Sequence, residues 1–252
     1  MILTEPPQTQ YDLRFRIFGI PVRIHPYFWL ASVLLGVTGR DTNPVNVVIW
    51  VGVVFISILI HELGHALVAW QYGWPPWITL YAFGGLASYR PTYRDARSQI
   101  LISLAGPGAG FLFIALVMAI VHALGHDVRV SQTTLGSTLP YWVFFEPFKS
   151  SNMDTMIKQL LFINIFWGLV NLLPIFPLDG GKIAQELMMQ ANPGDGLQKS
   201  LWLSVFTAAA TAVVFGVILK DIFPVIFFGY LAYSSYNLLQ QLHGRGGHGR
   251  PW

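Results

Sequence analysis

Two histidines and a glutamate lie within five residues of one another in an otherwise apolar stretch. They are His61, Glu62 and His65, in the segment Ile60–Ala66 with the sequence IHELGHA. On a helix, His61 and His65 are one turn plus about 40° apart, so both imidazoles can face one point while Glu62 flanks it. Neutral imidazole nitrogens are typical Zn²⁺ ligands, and a neighbouring carboxylate can take a proton from an attacking water. The pattern therefore predicts a catalytic zinc site with Glu62 as general base.

The composition indicates a polytopic membrane protein. Of the 252 residues, 54% are hydrophobic and 11% are charged, whereas about 25% are charged in a typical soluble domain. Ionisable side chains at membrane depth are costly and usually functional, which favours a catalytic site over a helix with incidental polar residues. The 15 Lys and Arg residues are scattered between apolar runs, so we expect no nucleic-acid partner. Because there is no Cys, any metal must be held by His, Asp or Glu.

Apolar stretches with few charges predict the architecture. We expect an all-α polytopic membrane protein of about six transmembrane helices, with a short membrane-associated β element between helices 2 and 3. Residues 1–242 would form a single intramembrane domain, followed by a disordered, basic C-terminal tail at 243–252. The first 23 residues lack the apolar core of a signal peptide, so no cleaved leader is expected. The six candidate spans are residues 24–38, 45–72, 99–123, 160–178, 200–219 and 222–242.

The distribution of positive residues predicts the orientation. If both termini are cytoplasmic, ten of the 15 Lys and Arg residues, those of the terminal segments included, lie on the cytoplasmic side, as the positive-inside rule favours. We therefore expect a multi-pass protein of a prokaryotic cytoplasmic membrane with cytoplasmic termini. In this orientation the second span runs inward, and the 14 residues 47–60, about 21 Å of helix, precede His61. The predicted zinc site then lies in the inner third of the bilayer.

The fourth span contains a candidate for a third metal ligand. It ends in residues 171–181, NLLPIFPLDGG, where two prolines and two glycines must break the helix. This span also runs inward, so Asp179 reaches a depth similar to that of His61. A catalytic zinc has three protein ligands and one open position, and Asp179 is the best remaining candidate for the third. The alternative is an N-cap or interfacial carboxylate.

Both motifs together resemble those of the site-2 protease family of intramembrane zinc metalloproteases. The chain is similar to its compact bacterial branch, for which no PDZ insertion and no CBS pair are expected. The resemblance implies that His61, His65 and Asp179 bind one Zn²⁺ per chain and that Glu62 is the general base. It further implies that Asn171 orients the substrate or stabilises the oxyanion. A buried Asn that bridges two helices by hydrogen bonds is the alternative for Asn171.

Residues 77–89, between spans two and three, predict one or two short strands. They are aromatic and β-branched, with Gly84 and Gly85 in the middle. The carbonyls of a transmembrane helix are shielded, so a substrate must unwind before hydrolysis, and a strand edge offers replacement hydrogen bonds. We therefore expect Gly84 and Gly85 to contact a transmembrane protein substrate in the lipid bilayer, cut within or near its membrane segment. A plain membrane-associated hairpin is the alternative.

A second histidine pair, His122 and His126, lies at the end of the third span. Two such pairs are typical of membrane metal-dependent oxygenases, which is one alternative function. In the orientation above, however, the two pairs lie on opposite sides of the membrane, which favours interfacial histidines, with a weak second metal site as the alternative. A non-catalytic zinc-binding scaffold is the other alternative, and it requires that Glu62 be dispensable. The sequence motifs identify neither the substrate nor the oligomeric state.

Overall fold

The computed structural model describes residues 5–38, 43–93, 95–130, 143–220 and 222–246. Within these ranges the chain is mostly helical. The helices are α1 (Pro26–Thr38), α2 (Pro44–Gln71), α3 (Ala96–Ala123), α4 (Ser151–Phe162), α5 (Gly168–Asn171), α6 (Asp179–Ala191), α7 (Gly196–Val214) and α8 (Ile222–Gly246). A π-helical turn, Ile163–Trp167, joins α4 to α5, and a second, Phe215–Leu219, follows α7.

Five helical segments among the described residues are long and apolar enough to cross a membrane: Pro44–Gln71, Ala96–Ala123, Ser151–Asn171, Gly196–Ile218 and Ile222–Leu242. They support the multi-pass prediction. The sixth predicted span is not confirmed, because α1 has 13 residues and spans about 20 Å, less than the roughly 30 Å hydrocarbon core.

The fourth span begins and ends earlier in the sequence than predicted. It was expected at residues 160–178, whereas the helical segment is Ser151–Asn171. The charged residues Asp154 and Lys158 lie on the first turns of this segment, where a search for charge-free runs excludes them. The helix ends before Pro174, as the helix-breaking residues predict.

A four-stranded sheet is larger than the short β element that the sequence predicts in a mostly helical chain. The strands are β1 (Leu13–Ile17), β2 (Ile20–Ile24), β3 (Pro76–Tyr81) and β4 (Gly84–Tyr89), in the order β1-β2-β3-β4. The β3–β4 hairpin confirms the predicted strands between α2 and α3, but β3 also pairs in parallel with β2 of an N-terminal hairpin that was not predicted. A second antiparallel pair, β5 (Val128–Val130) and β6 (Val143–Phe145), follows α3.

Two tight turns close the hairpins of the larger sheet. Phe18 and Gly19 connect β1 to β2 with φ of 50° and 83°, so both residues have the positive φ of a type I′ turn. A phenylalanine rarely adopts this conformation, whereas glycine does so at little cost. The β3–β4 hairpin has Tyr81 opposite Gly84, whose φ is 121°.

The segment before β1 is attached to the sheet by Arg23. Its guanidinium forms ion pairs with Glu5, at 2.9 Å, and with Asp12, at 3.1 Å, and it also donates to the carbonyls of Pro6 and Pro7. Glu5 in turn accepts a hydrogen bond from Thr79 of β3. The buried arginine therefore holds residues 5–12 against the strands.

The chain forms two compact units. The first contains Met1–Tyr93 and Ala105–Leu169, and the second contains Arg94–Leu104 and Val170–Trp252. In the first unit, one face of α2 packs on the sheet and α1 through Val54, Leu59 and Ala66. Another face packs on α3 and α4 through Val53. Buried partners on the sheet and α1 include Ile20, Val22, Ile24, Phe28, Ile78 and Leu80.

In the second unit, α6, α7 and α8 pack together. Leu201 and Ala208 of α7 and Phe228 and Leu231 of α8 are buried, and Phe228 stacks on Phe215 with ring centroids 5.7 Å apart. The predicted domain boundary at residue 242 falls inside α8, which reaches Gly246. The rest of the predicted tail, residues 247–252, lies outside the described residues, so its disorder stays a prediction.

Candidate metal centre

The helix that carries the histidine motif begins at a clear start signal. The side chain of Asn43 accepts a hydrogen bond from the amide of Val45, and Pro44 occupies the first helical position, where its missing N–H has no consequence. The helix then runs for 28 residues to Gln71. His61, Glu62 and His65 lie near its C-terminal end, and each is less than 10% exposed.

The structure brings the two imidazoles of the motif together. The Nε2 atoms of His61 and His65 are 3.1 Å apart, and the ring planes are inclined by 79°. Two nitrogens bound to one tetrahedral zinc, at Zn–N distances of about 2.0–2.1 Å, lie about 3.3 Å from each other. The donor set and its spacing therefore fit a zinc ion.

The backbone of α3 passes directly beside these imidazoles. A Cβ at Gly106 would collide with His65 and would lie 2.8 Å from Nε2 of His61. Gly64 of α2 makes a matching close approach, since a Cβ there would collide with the carbonyl of Ala105 and would lie 2.7 Å from Cβ of Ala109. Because neither glycine has a side chain, α2 and α3 approach closely, and the backbone of α3 lies directly against the imidazoles of α2.

Strand β4 holds the carboxylate of Glu62. The amide of Ala87 donates a hydrogen bond of 2.7 Å to Oε2. Gly85, two residues earlier, lies against the same side chain, because a Cβ there would be 2.5 Å from Oε1. The predicted substrate residue Gly85 therefore lies beside the predicted general base. Gly84 is required at its position by its positive φ.

The edge of β4 that faces Glu62 has no strand neighbour among the described residues, because β4 is the last strand of the sheet. Backbone groups alternate in direction along an antiparallel strand. Since the amide of Ala87 points away from β3 to Glu62, the backbone of Gly85 points to the same side. This edge can pair with an extended peptide.

The other two predicted site residues belong to the second unit. Asp179 is the first residue of α6, is 3% exposed, and forms an ion pair of 3.2 Å with Lys182. Asn171, the last residue of α5, is also buried. Gly180 and Gly181 make room for the backbone of residues 172–176, because a Cβ on either would collide with it. The N-cap of α6 is Leu178 rather than Asp179.

A polar contact that the sequence did not predict lies one turn before His61. Asn164, in the π-helical turn, donates hydrogen bonds of 2.9 Å to Oγ of Ser57 and to the carbonyl of Leu160. Its Oδ1 lies close to Gly110 of α3. Ser57 precedes His61 by four residues, so both lie on the same face of α2. The signal was a lone Asn within an apolar run, four residues after the backbone group it binds.

The second histidine pair does not form a comparable site. His122 is exposed, while Nδ1 of His126 is 3.0 Å from the carbonyl of Glu146 and its ring lies 3.8 Å from that of Phe148. In the described part of the chain, neither residue belongs to a cluster of three potential metal ligands. These contacts attach the end of α3 to the segment after β6. Residues 131–142, the middle of the adjoining connection, lie outside the described residues.

The chain is similar to known proteases along most of its length. A model of peptidase family M50 matches residues 49–213. A zinc metalloprotease of Methanocaldococcus jannaschii is 29% identical over 181 residues, which are 71% of this chain and 46% of that protein. A Synechocystis relative is 30% identical over 187 residues, 69% of this chain and 43% of that protein. The chain thus spans less than half the length of these two relatives.

Two further similarities cover more of the compared proteins. Stage IV sporulation protein FB of Bacillus subtilis is 27% identical over 233 residues, which are 89% of this chain and 68% of that protein. The solved structure of the site-2 protease from Methanocaldococcus jannaschii matches 91% of this chain and 95% of that chain, with a TM-score of 0.55 and 21% identity. The structural match shows that the two chains share a fold.

Proposed function

Because the chain belongs to peptidase family M50, we propose that it is an intramembrane zinc metalloendopeptidase. It would hydrolyse a peptide bond within or near a transmembrane segment of a membrane-anchored protein. One observation carries the proposal: two buried imidazoles have their Nε2 atoms 3.1 Å apart beside a buried glutamate, on a helix long enough to cross a membrane.

The metal ligands we propose are His61, His65 and Asp179, for one zinc ion per chain. All three are buried, and each offers one ligand atom. When bound, zinc would polarise the scissile carbonyl and make water more acidic. The name of the archaeal relative includes zinc and supports this choice of metal.

Glu62 is the proposed general base. It would take a proton from the attacking water and transfer it to the leaving amide nitrogen. The hydrogen bond from Ala87 fixes Oε2, which leaves Oε1 as the atom that exchanges the proton. Asn171 is proposed to orient the substrate or to donate to the developing oxyanion.

The proposed substrate is a transmembrane helix that unwinds at the cut. Opening removes helical hydrogen bonds in a medium without water to replace them. The free edge of β4 would replace them with strand pairing at the backbone of Gly85 and the carbonyl of Ala87, whose amide already donates to Glu62. Since Gly85 has no side chain, a peptide on this edge can approach Glu62 closely.

The proposed topology places both termini in the cytoplasm and the zinc site in the inner third of a prokaryotic cytoplasmic membrane. The short helix α1 would be a sixth membrane segment, which enters the bilayer without the length to cross it at average thickness. Cleavage would then occur in the cytoplasmic third of a substrate span and release a cytoplasmic fragment.

The test compares the wild-type chain with Glu62→Gln and His61→Ala in purified, reconstituted protein. We expect Glu62→Gln to retain zinc but to lose cleavage of a model transmembrane substrate, because the base is not a ligand. His61→Ala should lose both zinc and cleavage. Elemental analysis and mass spectrometry of fragments provide the readouts, and Glu146→Gln, which changes an exposed glutamate, is the matched control.

Three results would contradict the proposal. Wild-type cleavage by Glu62→Gln would remove Glu62 as the general base. Absence of cleavage by the zinc-loaded wild type would favour the non-catalytic scaffold, and iron in place of zinc would favour the oxygenase. Comparison of membrane proteomes from cells that carry wild type or Glu62→Gln would then identify the natural substrates, which should accumulate uncut in the variant.

A further inference from the structure

A cavity of about 570 Å³ lies beyond the C-terminal end of α2, outside the proposed catalytic site. All of its lining residues belong to the first compact unit. They comprise two arginines and two tryptophans among apolar and glycine residues, and no lining residue is acidic. The lining residues are Arg16, Gly19, Ile20, Pro21, Trp70, Pro75, Pro76, Trp77 and Arg90.

The two arginines of this cavity have no anionic partner within the described ranges. Neither Arg16 nor Arg90 forms a hydrogen bond or ion pair there. The nearby carboxylate of Glu5 is bound by Arg23 instead. Two positive charges, one on β1 and one directly after β4, therefore face a concave surface that supplies no negative charge. Such a surface attracts an anion.

One exposed aromatic ring lines the same cavity, and a second belongs to the residue next to its lining residue Gly19. Trp70, on the last turn of the apolar helix α2, is 48% exposed, and Phe18 is 71% exposed at the tip of the β1–β2 hairpin. Phe18 is followed by the lining residues Gly19 and Ile20, and its positive φ is strained for a bulky residue. Aromatic rings at the end of a membrane span are typical of the lipid headgroup region.

We propose that this cavity binds the phosphate headgroup of an anionic phospholipid. The guanidinium groups of Arg16 and Arg90 would contact the phosphate oxygens, which their planar donor sets fit. Trp70 and Phe18 would lie beside the glycerol backbone and upper acyl chains. An acidic protein segment would satisfy the arginines alone and would leave these rings in water, so the combination selects a lipid.

The cavity adjoins the strand that holds the proposed general base. Arg90 follows β4 directly, and Ala87, which donates to Glu62, lies three residues earlier on that strand. A lipid bound at Arg90 would fix this end of β4 at the membrane surface. The headgroup would therefore determine where the substrate-binding edge lies relative to the bilayer.

Native mass spectrometry of the 252-residue chain in detergent tests the proposal. The purified protein is titrated with phosphatidylglycerol and, separately, with phosphatidylcholine of the same acyl chains. We expect preferential binding of phosphatidylglycerol. The double variant Arg16→Gln, Arg90→Gln should weaken this binding about thirtyfold, or about 2 kcal/mol, since each arginine near an anionic lipid contributes about 1 kcal/mol.

The matched control is Arg14→Gln, Lys199→Gln, which removes two positive charges from the same predicted side of the membrane without changing the cavity. Its affinity should equal that of wild type. Arg16 and Arg90 are exposed, so the fold should tolerate both changes. If the double variant does not fold, each single variant should weaken binding about fivefold.

Several results would overturn the proposal. Equal binding of the two lipids would remove the headgroup preference, and an equal loss in the control would reduce the effect to overall charge. Displacement of phosphatidylglycerol by inorganic phosphate at equal concentration would make the cavity a site for the free anion. Binding of a polyglutamate peptide without any lipid preference would assign it to an acidic protein segment.

Discussion

Gly106→Ala should weaken metal binding at the proposed site while leaving the helices intact. The added methyl would lie 2.8 Å from Nε2 of His61, whereas an unstrained contact needs about 3.4 Å. The imidazole must therefore move by about 0.6 Å, which exceeds the roughly 0.2 Å tolerance of a metal–ligand distance. The helices cannot separate to relieve the contact without disturbing the Gly64–Ala105 approach.

The expected loss of zinc affinity is about 100-fold, or about 2.7 kcal/mol. This value is the upper end of the effects found when groups around metal ligands are changed, and Gly106→Ala acts on the ligands themselves. Gly108→Ala is the matched control, because a Cβ there meets nothing within 4 Å on the same helix. Competition with a zinc chelator measures the affinity, and circular dichroism measures helix content. Wild-type zinc affinity in Gly106→Ala would refute the proposed packing around the imidazoles.

Two further predictions concern the first compact unit. Ala87→Pro removes the N–H that donates to Glu62, at a strand edge where proline is tolerated, so we expect kcat to fall about 10- to 100-fold with zinc content unchanged. The control Ala87→Ser keeps the N–H and should have wild-type kcat. Loss of zinc in Ala87→Pro would contradict this role. Burial alone would raise the pKa of Asp12, but hydrogen bonds from Thr9 and the contact with Arg23 lower it from 3.8 to about 2. Asp12 therefore contributes stability above about pH 4 that is lost as the pH falls to 2. The thermal midpoint of wild type should fall more steeply over that interval than the midpoint of Asp12→Asn. Parallel curves for the two proteins would contradict the lowered pKa of Asp12.

Long apolar helices were predictable because length and composition determine them locally. The second span was expected at residues 45–72 and is Pro44–Gln71; the third was expected at 99–123 and is Ala96–Ala123. The paired imidazoles were predictable for the same reason, since helical periodicity alone brings His61 and His65 to one face. The roles of Asn171 and Asp179 stay predictions.

The N-terminal hairpin was not predictable by the same reasoning. In β1, Arg14 and Arg16 alternate with apolar residues, so this segment resembles a polar N-terminal extension. The hairpin becomes part of a sheet only through the pairing of β2 with β3, which is more than 50 residues away in sequence. The contact of Gly106 with the imidazoles and the bond between Asn164 and Ser57 also depend on how separate helices pack. Local propensity carries no information about such pairings.

The close approach of α2 and α3 restricts the route by which a substrate can arrive. At Gly64 the backbone of α2 lies against the carbonyl of Ala105, and at Gly106 the backbone of α3 lies against the two imidazoles, whereas a transmembrane helix with its side chains is about 10 Å wide. A substrate that entered between α2 and α3 would have to separate them by that width and would displace the imidazoles. In this arrangement the seam between α2 and α3 is closed to a substrate helix.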